Sequence, residues 1–178
     1  MIYMFLADGF EETEAIGALD VIRRAGIEIK TVSVAGKTVV GSHGVGIVAD
    51  MDKNDIDFEN MKGIILPGGM PGTTNLQKDE VVQSAIAHCH KNGLLLAAIC
   101  AAPMVFGDAG LLKGHCATCY PGLEEHLVGA EYSPEYVVKS GNIITAKGAG
   151  AAMLFGAEIV DYFMPGKGRE ILDAMMHA

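Results

Sequence analysis

Apolar residues fall along the chain in short unbroken runs separated by longer mixed stretches. Ile2-Tyr3-Met4-Phe5-Leu6, Gly63-Ile64-Ile65-Leu66 and Leu94-Leu95-Leu96-Ala97-Ala98-Ile99 carry no charge, as expected of strands covered on both faces in a parallel sheet. Glu28 to Val34 alternates polar and apolar side chains, a strand with one wetter face. Between the runs, Glu11 to Arg24 and Glu80 to Lys91 have helix composition, with Gly26 and Asn92-Gly93 placed to end them. Asp8 and Glu11 have capping-box spacing with aspartate at the cap.

The remaining pattern is more local. Lys37 to Val48, β-branched and punctuated by glycine, predicts a small hairpin, and Asp50 to Asn60 an acidic loop. Further helices are expected at Pro103 to Asp108, Gly150 to Phe163 and Arg169 to His177, a short strand at His115 to Cys119, a helical turn at Gly122 to Leu127 and a hairpin at Val137 to Ile144. Strands alternating with helices, joined by only local hairpins, predict an α/β sandwich with a mostly parallel central sheet, folded as a single domain over residues 1–178.

Composition narrows the function. With 50% apolar and 20% charged residues, disorder is excluded and apolar surface remains for burial between subunits. The formal charge of −9, from 13 basic and 22 acidic residues, includes no basic cluster, which argues against nucleic acid as a partner. The four cysteines lack the spacing of a disulfide framework, Met1 to Ala7 has no basic flank or cleavage site, and no apolar run is long enough to cross a bilayer. A cytoplasmic protein without a membrane partner is expected.

The chemistry converges on Cys100. Ala101-Ala102-Pro103 opens a helix directly after the apolar run ending at Ile99, which places Cys100 on a strand-to-helix elbow, exposed above the carboxyl edge of the sheet and beside a helix N-terminus that favours thiolate. Ligands of open α/β sheets bind at the carboxyl ends of the strands, so two other strand ends matter. The first supplies Glu11, Glu12 and Glu14. Glu11 and Glu12 are explained by the helix dipole, whereas Glu14 lies deeper, where a buried carboxyl would keep its proton and donate it in a hydrogen bond to sulfur. The second supplies Gly68-Gly69, whose bare backbone lets N–H groups approach a ligand; Gly69 and Ala101 N–H would make two halves of an oxyanion hole. None of the six histidines has a spacing that declares a base for Cys100, and Cys116 and Cys119 lack a second ligand pair for zinc.

These motifs together, A-D-G-F-E-E-T-E at Ala7 to Glu14, L-P-G-G at Leu66 to Gly69 and A-A-I-C-A-A-P at Ala97 to Pro103, make the chain resemble the ThiJ/PfpI superfamily, DJ-one branch. The resemblance implies a flavodoxin-like sandwich, a homodimer, a reactive and oxidisable cysteine at Cys100, a contacting glutamate at Glu14 and paired amides at Gly69 and Ala101. It implies a substrate pocket including Gly68, Tyr120 and His43, where His43 takes the place of an arginine that approaches from the partner subunit in relatives. Tyr120-Pro121 stands where some members carry histidine before proline, so a cysteine–histidine dyad is not supported. Ala101 stands where peptidase-type members carry histidine, which counts against a cysteine peptidase. The implied activity is that of a glyoxalase or deglycase with a stress-response role, acting on a small 2-oxoaldehyde such as methylglyoxal or on a glycated protein, with no metal or organic cofactor. The alternative is a redox sensor or chaperone working through oxidation of Cys100; a role in thiamine-precursor metabolism rests on the superfamily's name alone.

Overall fold

The computed structural model describes residues 1–177. In chain order the elements are β1 (Ile2–Leu6), α1 (Glu12–Arg24), β2 (Ile29–Ser33), β3 (Thr38–Val40), β4 (Gly46–Val48), β5 (Met51–Asp52), β6 (Gly63–Leu66), α2 (Gly72–Lys78), α3 (Glu80–Asn92) and β7 (Leu95–Ile99). They continue with α4 (Pro103–Asp108), β8 (Cys116–Ala117), β9 (Glu131–Tyr132), β10 (Val137–Ser140), β11 (Ile143–Ala146), α5 (Ala152–Phe163) and α6 (Lys167–Ala174). The main sheet runs β10-β11-β7-β6-β1-β2-β5, parallel throughout except where β10 pairs antiparallel with β11. This is the α/β architecture expected from the sequence.

The apolar runs are buried on both faces because side chains alternate across a strand. Ile2, Met4, Leu6, Ile65, Ala97 and Ile99 pack with residues of α1, α5 and α6, and Tyr3, Phe5, Ile64, Leu66, Leu96 and Ala98 pack with residues of α3 and α4 on the other side. Gly156 lets α5 lie against α1: a methyl group on it would stand 2.9 Å from Val21 Cβ and 3.0 Å from Ala18 Cα, closer than packed carbons tolerate.

Several local expectations are corrected. The cap of α1 is Glu11, whose carboxylate accepts the Glu14 N–H at 2.7 Å, while Asp8 accepts the Val40 N–H at 2.9 Å and so fastens β3 instead of the helix. The acidic loop contains β5, paired with the end of β2. Helix α2 follows the glycine-rich turn, where Gly72-Thr73-Thr74-Asn75 has no apolar period to announce it. The expected strand at His115 to Cys119 shrinks to β8, paired with β9, and the last helix starts at Lys167 and stops at Ala174.

Candidate active site

Cys100 sits directly after β7 with φ 64°, a left-handed conformation that costs a residue with a side chain on the order of 1–3 kcal/mol. Two hydrogen bonds hold it there. The Cys100 N–H donates to Ala146 O at the end of β11, and the Tyr120 N–H donates to Cys100 O, each at 2.8 Å. While β7 is wholly buried, Cys100 is only half-buried, so the elbow lifts its sulfur out of the core.

Glu14 reaches the same place from the first turn of α1. It is 1% exposed, its Oε2 accepts the Gly68 N–H at 2.9 Å, and its Oε1 is buried without a hydrogen-bond partner. Burial raises its pKa to about 7; interaction with the Cys100 thiol opposes this, the Glu11 charge adds to it and the Gly68 N–H opposes it. For Cys100, burial, the charge of Glu14 and the hydrogen bond with Glu14 push the thiol up to about 12, against the Ala101 and Gly69 N–H groups, which donate to sulfur and pull it down.

The helix N-terminus therefore does not by itself make Cys100 a thiolate. Helix α4 has only 6 residues, and two individual N–H groups do the stabilising. Since each group's charge disfavours the other's, the singly charged pair keeps one proton between Glu14 and Cys100. A proton on the Glu14 carboxyl would let it donate to sulfur, while the amides receive the charge at Sγ.

A cleft of about 370 Å³ opens over Cys100, lined by Gly69, Met70, Ala101, Tyr120, Pro121 and Leu123. The expected site residues Cys100, Glu14, Gly68, Gly69, Ala101 and Tyr120 are thus brought together, Gly68 through its contacts with Glu14 and Cys100. Among the described residues no histidine lines this cleft. Met70 and Leu123 join the lining without a signal in the sequence; the first directly follows Gly68-Gly69, and the second carries no chemical signal.

His43 is not brought to this cleft within its own chain. Its side chain is 74% exposed and its Nδ1 lies 3.0 Å from Glu12 Oε2. Glu12 also accepts the N–H groups of His43 and Val45 and the Ser42 hydroxyl, so it fastens the β3–β4 loop and is more than a dipole-matched acid. Partial burial raises the Glu12 carboxyl, but its hydrogen bonds to the His43 ring and to backbone N–H groups outweigh this and hold it at about 2. Glu11, Glu12 and His43 are the one group of three among the described residues whose ligand atoms lie within 4.8 Å of one another. They serve one another and the loop. Cys116 and Cys119 are both free thiols, the first half-buried and the second buried.

No helix among the described residues is long and apolar enough to cross a membrane. The model of the DJ-1/PfpI family matches residues 1–162. Protein dj-1beta of Drosophila melanogaster is 36% identical over 162 residues, which cover 89% of this chain and 86% of that protein. A Pyrococcus horikoshii protein named a deglycase is 28% identical over 150 residues, 83% of this chain and 90% of its own length. The solved structure of oxidised Toxoplasma gondii DJ-1 superposes with a TM-score of 0.95 at 29% identity, covering 99% of this chain and 98% of the other. The match runs through the first strand, the glycine turn and the elbow alike, and the chain belongs to the DJ-1/PfpI family.

Proposed function

We propose that the protein is a cysteine-dependent enzyme of the glyoxalase or deglycase type, acting on a 2-oxoaldehyde such as methylglyoxal or on the adducts it forms with protein thiols and amines. The observation that carries this reading is the convergence on one sulfur of a buried carboxyl, Glu14, and two backbone donors, Gly69 and Ala101. It is supported by the deglycase named among the relatives.

In the proposed reaction Cys100 Sγ adds to the aldehyde carbon, a C–S bond forms, and the carbonyl electron pair moves to oxygen. The Gly69 and Ala101 amides and the Glu14 proton meet that oxyanion. Glu14, now ionised, takes the proton from the former aldehyde carbon and returns one to the neighbouring carbonyl carbon, while the hydroxyl proton passes from the first oxygen to the second, leaving a thioester on Cys100. The first carbon is thereby oxidised and the second reduced, so no outside redox partner enters, and water releases the 2-hydroxy acid and the free thiol. A cytoplasmic homodimer built through α1 and the β3–β4 hairpin is part of this reading, with His43 facing the second subunit.

Purified protein incubated with methylglyoxal should consume it and form 2-hydroxy acid, and Cys100→Ala should not; equal consumption by both would overturn the proposal. One observation favours a second reading, a redox sensor or chaperone: the donors aim at Sγ itself, where the oxygens of a sulfinate formed by peroxide would lie. Mass spectrometry after peroxide treatment, with methylglyoxal turnover absent, would favour that reading.

A further inference from the structure

A second cleft, of about 420 Å³, adjoins the first and shares Tyr120 and Pro121 with it. Its other walls are Tyr136, Lys147 and the segment from Gly148 to Ala151. Gly148, in the second cleft, lies near the shared Tyr120 ring and near Glu14: a methyl group on it would stand 3.4 Å from the Tyr120 ring and 3.9 Å from Glu14 Oε1. A gap of about one methyl group therefore separates the floor of the second cleft from the carboxyl beside Cys100.

The lining is mostly aromatic rings, proline and alanine, with one ammonium. Lys147 follows β11, its N–H donates to Tyr136 O at 3.0 Å, and its Nζ stands 5.7 Å from the centre of the Tyr136 ring. Among the described residues it is the only cationic side chain lining either cleft. Its field reaches Glu124, an exposed carboxylate that already accepts the Gly122 N–H at 2.9 Å. In a chain of net charge −9, an ammonium lining an apolar trough that adjoins the Cys100 cleft selects for one kind of ligand.

We propose that this second cleft holds the tail of an extended substrate whose head reacts at Cys100: a flat or apolar body ending in a carboxylate that pairs with Lys147. An aryl 2-oxoaldehyde bearing a carboxylate has this form, as does a glycated peptide segment with an acidic end. The identity of the head rests on the aldehyde reaction proposed above; the tail subsite does not, so the two are tested apart.

The first test uses alkylation of Cys100, in which sulfur displaces iodide, by para-(iodoacetamido)benzoate and by neutral iodoacetanilide. The readout is the ratio of the two rates in the same protein, so a general change in thiol reactivity cancels. Lys147→Gln should lower the anionic-to-neutral ratio roughly fivefold, as expected for one half-exposed charge pair in water, and Lys147→Arg should restore it. An equal ratio in the parent and in Lys147→Gln overturns the subsite. The second test compares para-carboxyphenylglyoxal with phenylglyoxal as substrates of the same three proteins. Aldehyde turnover without a change in ratio overturns the subsite and leaves the reaction; no turnover, with the alkylation ratio still dependent on Lys147, overturns the reaction and supports the subsite.

Discussion

Gly68 lies so close to Cys100 that a methyl group on its Cα would stand 2.6 Å from the Cys100 Cβ, and as close, 2.6 Å, to Glu14 Oε2. Both neighbours are fixed by hydrogen bonds, Glu14 to the Gly68 N–H itself and Cys100 to Ala146 and Tyr120, so neither can step aside cheaply. Gly68→Ala should lower folding stability by about 1–3 kcal/mol, the usual range for overpacking. It should also slow Cys100 alkylation far more than that of Cys116. A melting curve and a labelling time course check both; normal alkylation in a destabilised variant would mean that the pair relaxes without losing its geometry.

Glu14 sets a pH dependence with a definite sign. Its pKa rises on folding, from an ordinary 4.5 to about 7, so the folded state holds the proton more tightly than the unfolded chain does. Its favourable contribution is complete below pH 4.5 and is lost as pH rises toward 7 and above, a swing of about 3 kcal/mol if it titrates alone. Glu14→Gln cannot titrate. Urea unfolding of the parent and the variant from pH 4 to pH 8 should show the parent's relative stability falling with pH; parallel curves would place the charge on a different group.

The four cysteines should react in an order set by access and environment. Cys89 is buried and pushed up to about 12 by burial alone. Cys119 is buried and raised to about 11, chiefly by burial with help from the Glu124 charge. Cys100 is pushed up to about 12 as well, but it is half-buried beneath an open cleft, where the Ala101 and Gly69 N–H groups oppose that rise. Under limited iodoacetamide, Cys100 should be modified first and Cys116 next, with Cys89 and Cys119 reacting only on unfolding. Peptide mass spectrometry reads the order, and simultaneous labelling of all four would remove the case for a special thiol.

Glu12→Gln should loosen the loop between β3 and β4. The change replaces a carboxylate that accepts from Ser42, His43 and Val45 with an amide that carries donors of its own, and hydrogen bonds to a charged acceptor contribute roughly 1.5–3 kcal/mol each. Because the Glu12 carboxyl is held at about 2, the loop in the parent should stay fastened until the pH falls below the ordinary carboxylate range. Hydrogen exchange at the His43 and Val45 amides is the direct measure. Protection unchanged in the variant would show that the backbone turn holds without the carboxylate.

Much of this site was legible before any coordinates because its parts obey local rules. An uncharged run followed by Ala-Ala-Pro forces a turn at Cys100, and a glutamate one turn into a helix that starts at the sheet edge has to face that edge. The rest depends on packing between distant segments. The thiolate expected from a helix N-terminus ignored the Glu14 charge and the burial that accompany it. Glu12 read as an ordinary first-turn acid because nothing in its neighbourhood reveals that residues 42–45 fold back onto it. Lys147 went unnoticed for a similar reason: Val137 to Ile144 read as a local hairpin, yet β11 pairs with β7 in parallel from Ile143 to Ala146, and its carboxyl end delivers Lys147 to the cleft edge. Helix α2 left no trace since its sequence lacks a hydrophobic stripe.

The two hydrogen bonds that pin Cys100 in its left-handed conformation come from residues 120 and 146, both made after the cysteine during synthesis. A chain emerging from the ribosome therefore carries an ordinary, relaxed thiol until Ala146 is free to pair, by which point every strand of the main sheet has been translated. The left-handed geometry of Cys100 is thus completed only late in translation, a consequence of the order of the strands alone. Stalled chains ending before Ala146 should label at Cys100 no faster than an unstructured peptide, and chains released after α5 should label at the full rate.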